Sequence, residues 1–398
     1  EAASKIRNFP NCILEKDEDT IRSEIELSQY AELEEGEKGY QLISGTFSDN
    51  VLWSLYQCNQ TKKNIPALQS LLIYMETNDI PFLKFQQTLS TLNISLNSDI
   101  WLPRLIVMGE QISRSYSIVS HKDRSSFLKF VYELVGNQPA SIQQNMKDYS
   151  QCRNSVRKNL PQLFATNPER DSTTIKELEQ FPVKDLAEQL TYLEAKHQKQ
   201  IQIADLFKTF STLPRQSGLK QSVQWWNQIN FWVAGEILTQ PTAKSQLTIL
   251  TKFLNVAVEL FRLRNYSTCS QILTGITHNT VQRIKILQSI IPKESRDILA
   301  NLKEKLSHER NYQSYRNLDF SSPYLGLLPM YQRDLIYIVD GNEKEIEDNV
   351  INVDRMNMIS EVIEKSGLTN PEYHFSYTFK RNFTIEQFII ERSIFSEE

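Results

Sequence analysis

The chain has no apolar run approaching the roughly 18 to 20 residues that cross a bilayer, and no signal-peptide pattern near its start. It opens on EAASK without a methionine, which reads as a trimmed or tagged terminus. Glycine and proline are scarce, 11 and 14 in 398 residues, so long segments are free of helix breakers. Four cysteines (Cys12, Cys58, Cys152 and Cys269) stand far apart with no C-x-x-C pair. That excludes a zinc ribbon or a disulfide scaffold and reads as buried free thiols in a reducing compartment. The histidines, His121, His197, His278, His308 and His374, have no metal-ligand spacing. No G-x-x-x-x-G-K-[ST] or G-x-G-x-x-G loop is present to cradle phosphates. The net charge of −4, with no concentrated basic stripe, argues against binding nucleic acid or an anionic membrane. These absences predict a cytoplasmic protein with no metal, no cofactor and no recognisable active site, one that works by binding.

Hydrophobic residues make up 40% and charged residues 23%, the composition of a soluble globular protein with length for two domains or more. From Leu247 to Arg264 apolar residues fall at Leu247, Leu250, Phe253, Leu254, Ala257, Val258, Leu260 and Phe261, a broad helical face. Residues 186–210, 223–238 and 296–308 behave alike, and β-like alternation is confined to 335–339 and YHFSYTF (373–379). The expected fold class is therefore all-α. Four segments follow. Residues 1–38 are acidic, with Glu32, Glu34, Glu35 and Glu37 close together, as in a solvated helix face or tail. Residues 39–150 are a helical unit opening with ISGT (43–46). A polar linker covers 151–178 and includes NPERDSTT (167–174). A second helical unit, 179–398, starts at Phe181-Pro182, and its last helix is announced by a possible capping box, Thr384-x-x-Gln387.

One segment supports two incompatible readings. In DLIYIVDGN, Asp334 to Asn342, the β-branched and aromatic run followed by Asp-Gly-Asn is locally a strand entering a tight turn. The neighbouring motifs read it differently. FPVKDLAEQLTYLE (181–194), NQINFWVAGEIL (227–238), KFLNVAVELFRLRNYSTCSQILTGI (252–276), VQRIK (281–285), NYQSYR (311–316), PYLG (323–326), DLIYIVDGN and NVINVDRMNMISEVI (349–363) occur in this order. Together they resemble the catalytic domain of Ras-family guanine nucleotide exchange factors. ISGTFSDNVLWSLY (43–56) and LQSLLIYMETNDIPFLKFQQTL (68–89) are more loosely similar to the Ras exchanger motif module that accompanies such domains.

The resemblance implies a multi-helix N-terminal module packed on a larger helical domain with a protruding helical hairpin, about 328–366. Asp334 to Val339 is then helical, and Gly341-Asn342 ends the helix. It implies an exchange factor for a Ras or Rap type small GTPase, making and breaking no covalent bond. GDP, GTP and Mg²⁺ belong to the partner, and membrane contact is indirect, through a lipidated GTPase or regions outside the sequence. The hairpin is the wedge. Ile336 stands where the family pushes an apolar side chain toward the Mg²⁺ site, and Asp340 where a carboxylate takes hydrogen bonds from groups that otherwise hold phosphate. The second switch of the GTPase would dock on Val223, Gln224, Ser270, Thr277, His278, Tyr312 and either Tyr324 or Leu327. Departures from the family pattern are Gln224 for arginine, Thr277 for asparagine, Ser267 for the second Asn of N-F-N, and Asp340 for the commoner glutamate. These leave open a non-catalytic scaffold that binds a GTPase or signalling partner without exchange. A helical hydrolase has no motif behind it.

Overall fold

A computed structural model describes residues 27–36, 39–58, 65–91, 98–115, 118–136, 178–208, 211–369 and 371–395. Most of the acidic segment and all but the end of the expected linker lie outside these residues, as do Cys12 and Cys152. Two compact units are present: residues 1–175 with Lys344–Asn357, and Lys176–Glu343 with Met358–Glu398.

The first unit carries strands β1 (Glu32–Gly36) and β2 (Gly39–Gly45), then helices α1 (Phe47–Gln57), α2 (Pro66–Thr77), α3 (Phe82–Thr91), α4 (Ser98–Arg114) and α5 (His121–Gly136). The acidic run at residues 32–36 is thus a strand rather than a helix face or tail. It pairs antiparallel with β2, which buries Leu42 and Ser44. ISGT closes β2 and starts α1. The Thr46 hydroxyl accepts from the Asp49 N–H, and the Asp49 carboxylate returns to the Thr46 N–H at 2.8 Å, a complete capping box. Leu55, Leu71, Ile73, Phe85, Met108, Ile112 and Phe127 are essentially inaccessible and form this unit's core.

Residues 344–357 join the same unit. β3 (Glu345–Glu347) and β4 (Val350–Asn352) form a short hairpin, and β4 pairs with β2 through Ser44–Asn352 and Gly45–Ile351. The sheet order is β1-β2-β4-β3, antiparallel throughout. Asn349, at φ +65°, makes the turn between β3 and β4. Lys344 lies over the Tyr74 ring, 5.6 Å from its centroid. Burial, with Glu345 nearby, pushes the Tyr74 hydroxyl up to about 12.

The second unit begins with a 3-10 turn (Leu178–Gln180) and α6 (Val183–Gln198), with Pro182 as the N-cap. A second 3-10 turn (Ile203–Phe207) precedes α7 (Gly218–Leu238) and α8 (Ala243–Arg262). Next come α9 (Tyr266–Ile276), α10 (Asn279–Gln282), α11 (Lys285–Ile290), α12 (Lys293–Lys305) and α13 (Glu309–Arg316). The unit closes with α14 (Leu328–Gly341), α15 (Val353–Lys365, shared with the first unit), α16 (Pro371–His374) and α17 (Phe383–Phe395). The all-α expectation holds for this unit. Neither β-like segment is a strand here: 335–339 lies inside α14, and 373–379 is a short helix followed by irregular chain.

At the core of this unit α7 packs on α9. They approach closely because residue 275 has no side chain: a Cβ there would lie 2.6 Å from Val233 Cβ and 2.7 Å from the Asn230 carbonyl oxygen. Trp232 packs edge-on against Phe253 of α8 at 5.1 Å, and Phe388 of α17 lies 5.0 Å from Phe181. The expected capping box on the last helix is absent. Thr384 lies within the first turn, and Asn382 does the capping: its Oδ1 accepts from the Ile385 N–H at 3.3 Å while its own N–H donates to Gln189 Oε1 at 2.9 Å. Asn382 wins because its short amide reaches the first turn's free N–H groups. Among the described residues no helix is long and apolar enough to cross a membrane.

Candidate functional site

Helix α14 reconciles the two readings of DLIYIVDGN. Pro329 stands in its first turn, where a missing N–H costs nothing. Leu328, Tyr331 and Leu335 are buried along one face, and Met330 is buried in the first turn. The burial of that face outweighs the strand preference of Ile336, Tyr337, Ile338 and Val339. The helix ends at Gly341, but not through a left-handed glycine. Asn342 is extended at φ −136° and ψ 133°, and its side chain donates to the Ile338 carbonyl at 3.0 Å.

Ile336 and Asp340 lie one turn apart on the opposite, outward face. Ile336 is 54% exposed, Asp340 is exposed, and Tyr337 beside them is 64% exposed. Isolated exposed apolar residues are ordinary; here two adjacent large ones stand on a helix whose other face is buried.

The base of α14 is fastened to α13. Within α13 three consecutive residues, Arg310, Asn311 and Tyr312, have φ of +47°, +58° and +57°. Left-handed backbone costs about 1–2 kcal/mol per non-glycine residue, so the surroundings must hold this turn. Arg316 does so, donating to the Asn311 carbonyl at 2.8 Å and to its Oδ1 at 3.2 Å. The same guanidinium forms an ion pair with both carboxylate oxygens of Asp334 on α14, at 2.6 and 2.8 Å. Arg333 also donates to Asn311 Oδ1, and its guanidinium stacks 4.6 Å from the Tyr312 ring. Between α13, α14 and α15 lies a cavity of about 140 Å³, bounded by Arg316, Tyr331, Asp334, Ile338, Met358 and Lys365.

The remaining residues nominated by resemblance divide into two groups. Val223 and Gln224 are exposed on the early turns of α7. Ser270 and Thr277, the latter ending α9, are half-buried, and the Thr277 hydroxyl donates to the Leu273 carbonyl at 2.8 Å. His278 caps α10, its ring edge-on to exposed Phe231 at 6.0 Å. Tyr312 is half-buried at the left-handed turn. Tyr324 and Leu327, in contrast, are buried at 3% and 7% exposure. The Tyr324 hydroxyl donates to the Lys365 carbonyl at 2.6 Å, and the Leu327 N–H donates to the Tyr315 hydroxyl at 2.9 Å. Both support the base of the hairpin helices from within. Burial raises the Tyr315 and Tyr331 hydroxyls above their usual range and pushes Tyr324 up to about 12, so all three stay neutral.

Beneath the α7–α9 pair lies a buried polar cluster that periodicity did not reveal. Glu194, 1% exposed, accepts from Trp225 Nε1 at 3.0 Å, Gln198 Nε2 at 2.8 Å, Ser267 Oγ at 2.7 Å and Gln271 Nε2 at 3.0 Å. Asn265, fully buried, caps α9 through the Thr268 N–H and donates to Thr191. His197 stacks on Trp225 at 4.8 Å, and burial lowers its pKa below the usual 6.5. The cluster ties α6 to α7 and α9, and its saturated carboxylate marks a structural role. Of these features, only Asn311 gave a sequence signal: asparagine is enriched in left-handed backbone. The Arg316–Asp334 pairing had none.

Comparison with known proteins bears on the stretch from α6 into α15. A RasGEF domain model matches residues 185–357. RAS guanyl-releasing protein 1 of Xenopus tropicalis is 30% identical over 199 residues, covering 47% of this chain and 25% of that protein. Ras guanine nucleotide exchange factor Q of Dictyostelium discoideum is 30% identical over 211 residues, covering 51% and 16%. Rap guanine nucleotide exchange factor 6 of Homo sapiens is 28% identical over 167 residues, covering 41% and 10%. The chain thus spans a quarter or less of the length of these relatives. The match runs from α6 through both strands of the β3–β4 hairpin into α15, and residues 185–357 are a RasGEF domain.

Proposed function

We propose that this protein is a guanine nucleotide exchange factor for a Ras-type small GTPase, of Ras or Rap type, with α14 as its wedge. The observation that carries this reading is the pair Ile336 and Asp340, exposed one turn apart on a helix whose opposite face is buried. A GTPase holds its nucleotide with nM-to-pM affinity, worth roughly 12–16 kcal/mol. Proton transfer gives no advantage against that. The exchange factor must favour the nucleotide-free state, and because coupling is reciprocal it then weakens nucleotide as much as nucleotide weakens it. In this mechanism Ile336 enters the space near the partner's Mg²⁺ and Asp340 competes for its phosphate-binding donors. Val223, Gln224, Ser270, Thr277, His278 and Tyr312 take the second switch, with Tyr324 and Leu327 supporting from beneath. In this reading the protein needs no cofactor of its own, and its contact with a membrane is indirect, through a lipidated partner or regions outside the sequence.

The first unit acts as a Ras exchanger motif-like module. Pairing of β2 with β4 supports a bracing role, since the β3–β4 strands between the two hairpin helices belong to that unit's sheet.

The test is release of labelled GDP from a panel of Ras and Rap type GTPases. Acceleration on at least one, cut about 10- to 100-fold by Ile336→Ala or Asp340→Ala at unchanged thermal stability, is the expected result. Binding without acceleration on any member would instead identify a non-catalytic scaffold.

A further inference from the structure

Successive helical residues are 100° apart, so Arg333, Ile336, Tyr337 and Asp340 fall within roughly 100° of arc on α14. They form one strip along its outward face. Its neighbour Asp334 points elsewhere and is consumed by Arg316. Arg333, half-buried, is left with no carboxylate partner among the described residues; its Nε, itself buried, makes no hydrogen bond, so any partner meets the terminal nitrogens. The side chain is nevertheless held in place. The Tyr312 ring stacks under the guanidinium at 4.6 Å, and Asn311 Oδ1 accepts one of its N–H groups. Both holding groups belong to the turn kept left-handed by Arg316. Two arginines therefore meet at one asparagine, and only one is given an acid.

We propose that Arg333 is a specificity-determining residue of the wedge, taking an acidic side chain of the GTPase. This inference rests on the exchange-factor reading above. A guanidinium fixed before binding loses little entropy when a carboxylate arrives, and its planar fork matches that group. Because the charge sits on the strip that carries Ile336 and Asp340, it also acts on encounter. GTPases with an acid opposite Arg333 are captured faster than those with a neutral or basic residue there.

The experiment measures association rates of the full chain with nucleotide-free Ras and Rap type GTPases at low and high salt, for wild type, Arg333→Gln and Arg333→Glu. Thermal stability of each variant is recorded, and Ile336→Ala is assayed in parallel for GDP release. The expected order is wild type, then Gln, then Glu, with Glu about 10-fold slower at low salt. The gap should narrow to about 2- to 3-fold at 0.5 M salt as screening sets in. Equal losses for Gln and Glu, insensitive to salt, would reduce Arg333 to a staple of the Tyr312 turn and overturn the proposal. Unchanged rates in both variants would overturn it too. Full GDP release by Ile336→Ala would count against the wedge mechanism, a failure read in a different assay.

Discussion

Arg316 reaches both carboxylate oxygens of Asp334, at 2.6 and 2.8 Å, while the same guanidinium holds the carbonyl of Asn311 at 2.8 Å. One side chain thus couples a left-handed turn to the base of α14. The pair is only partly buried, with 37% and 15% of the side chains exposed, so its Coulombic worth is modest. Its effect on geometry is larger, since it fixes the left-handed turn against the base of α14.

Arg316→Ala is expected to lower stability by about 1–2 kcal/mol, in line with a charge-assisted pair and the released turn. Hydrogen exchange of α14 amides should rise near its base while α6 and α9 stay protected. Uniform protection in the variant would show that the ion pair does not hold the helix.

Gly275→Ala tests the α7–α9 contact. The added methyl meets Val233 and the Asn230 carbonyl well inside contact distance, and backbone cannot swing aside as a side chain can. A loss of about 2–3 kcal/mol is expected in chemical denaturation. A neutral result would mean that α7 and α9 separate freely.

Glu194→Gln should also destabilise, despite its near-identical shape. Both carboxylate oxygens accept hydrogen bonds, Oε1 from Gln198 and Ser267, Oε2 from Trp225 and Gln271. An amide nitrogen at either place faces donors with a donor, at a cost of about 2–3 kcal/mol. Glu194→Ala takes the shared acceptor from all four donors, of which Gln198 and Gln271 keep a second partner in the Gly326 carbonyl and the Ser267 hydroxyl, and it should cost more, which urea unfolding of both variants would rank.

Stability should fall in mild acid. Burial holds the folded-state pKa of His197, and that of His374, below the unfolded value of 6.5. Above that value both states are neutral and nothing changes. As pH drops below 6.5 the unfolded chain takes up protons first, so stability declines until the folded-state pKa is passed. Melting temperatures from pH 7.5 to 5 should show this decline, shallower in His197→Gln. An identical slope in that variant would remove His197 as a contributor.

The helices of the second unit were legible because their apolar faces repeat at helical spacing, as in Leu250, Phe253, Leu254 and Ala257 of α8, which are all buried. The caps at Thr46 and Asn265 emerged only from the structure, where short polar side chains satisfy free N–H groups within three residues. The capping box at Thr384 misled because the same chemistry was available two residues earlier at Asn382.

By itself the sequence determined what depends on near neighbours: the helical class of the second unit, the absence of phosphate loops and metal spacings, and the ordered motifs that match a RasGEF domain. Tertiary structure alone decided the rest. Asp334 to Val339 became helix because Tyr331 and Leu335 bury one face of α14, a gain that local strand preference cannot see. Glu345 to Asn352 became strands because β2 offered an edge to pair with. Among the described residues Arg316 was paired and Arg333 left without an acid because helix geometry turns Asp334 toward one and away from the other. Each outcome depends on groups distant in sequence, whose meeting no local pattern encodes.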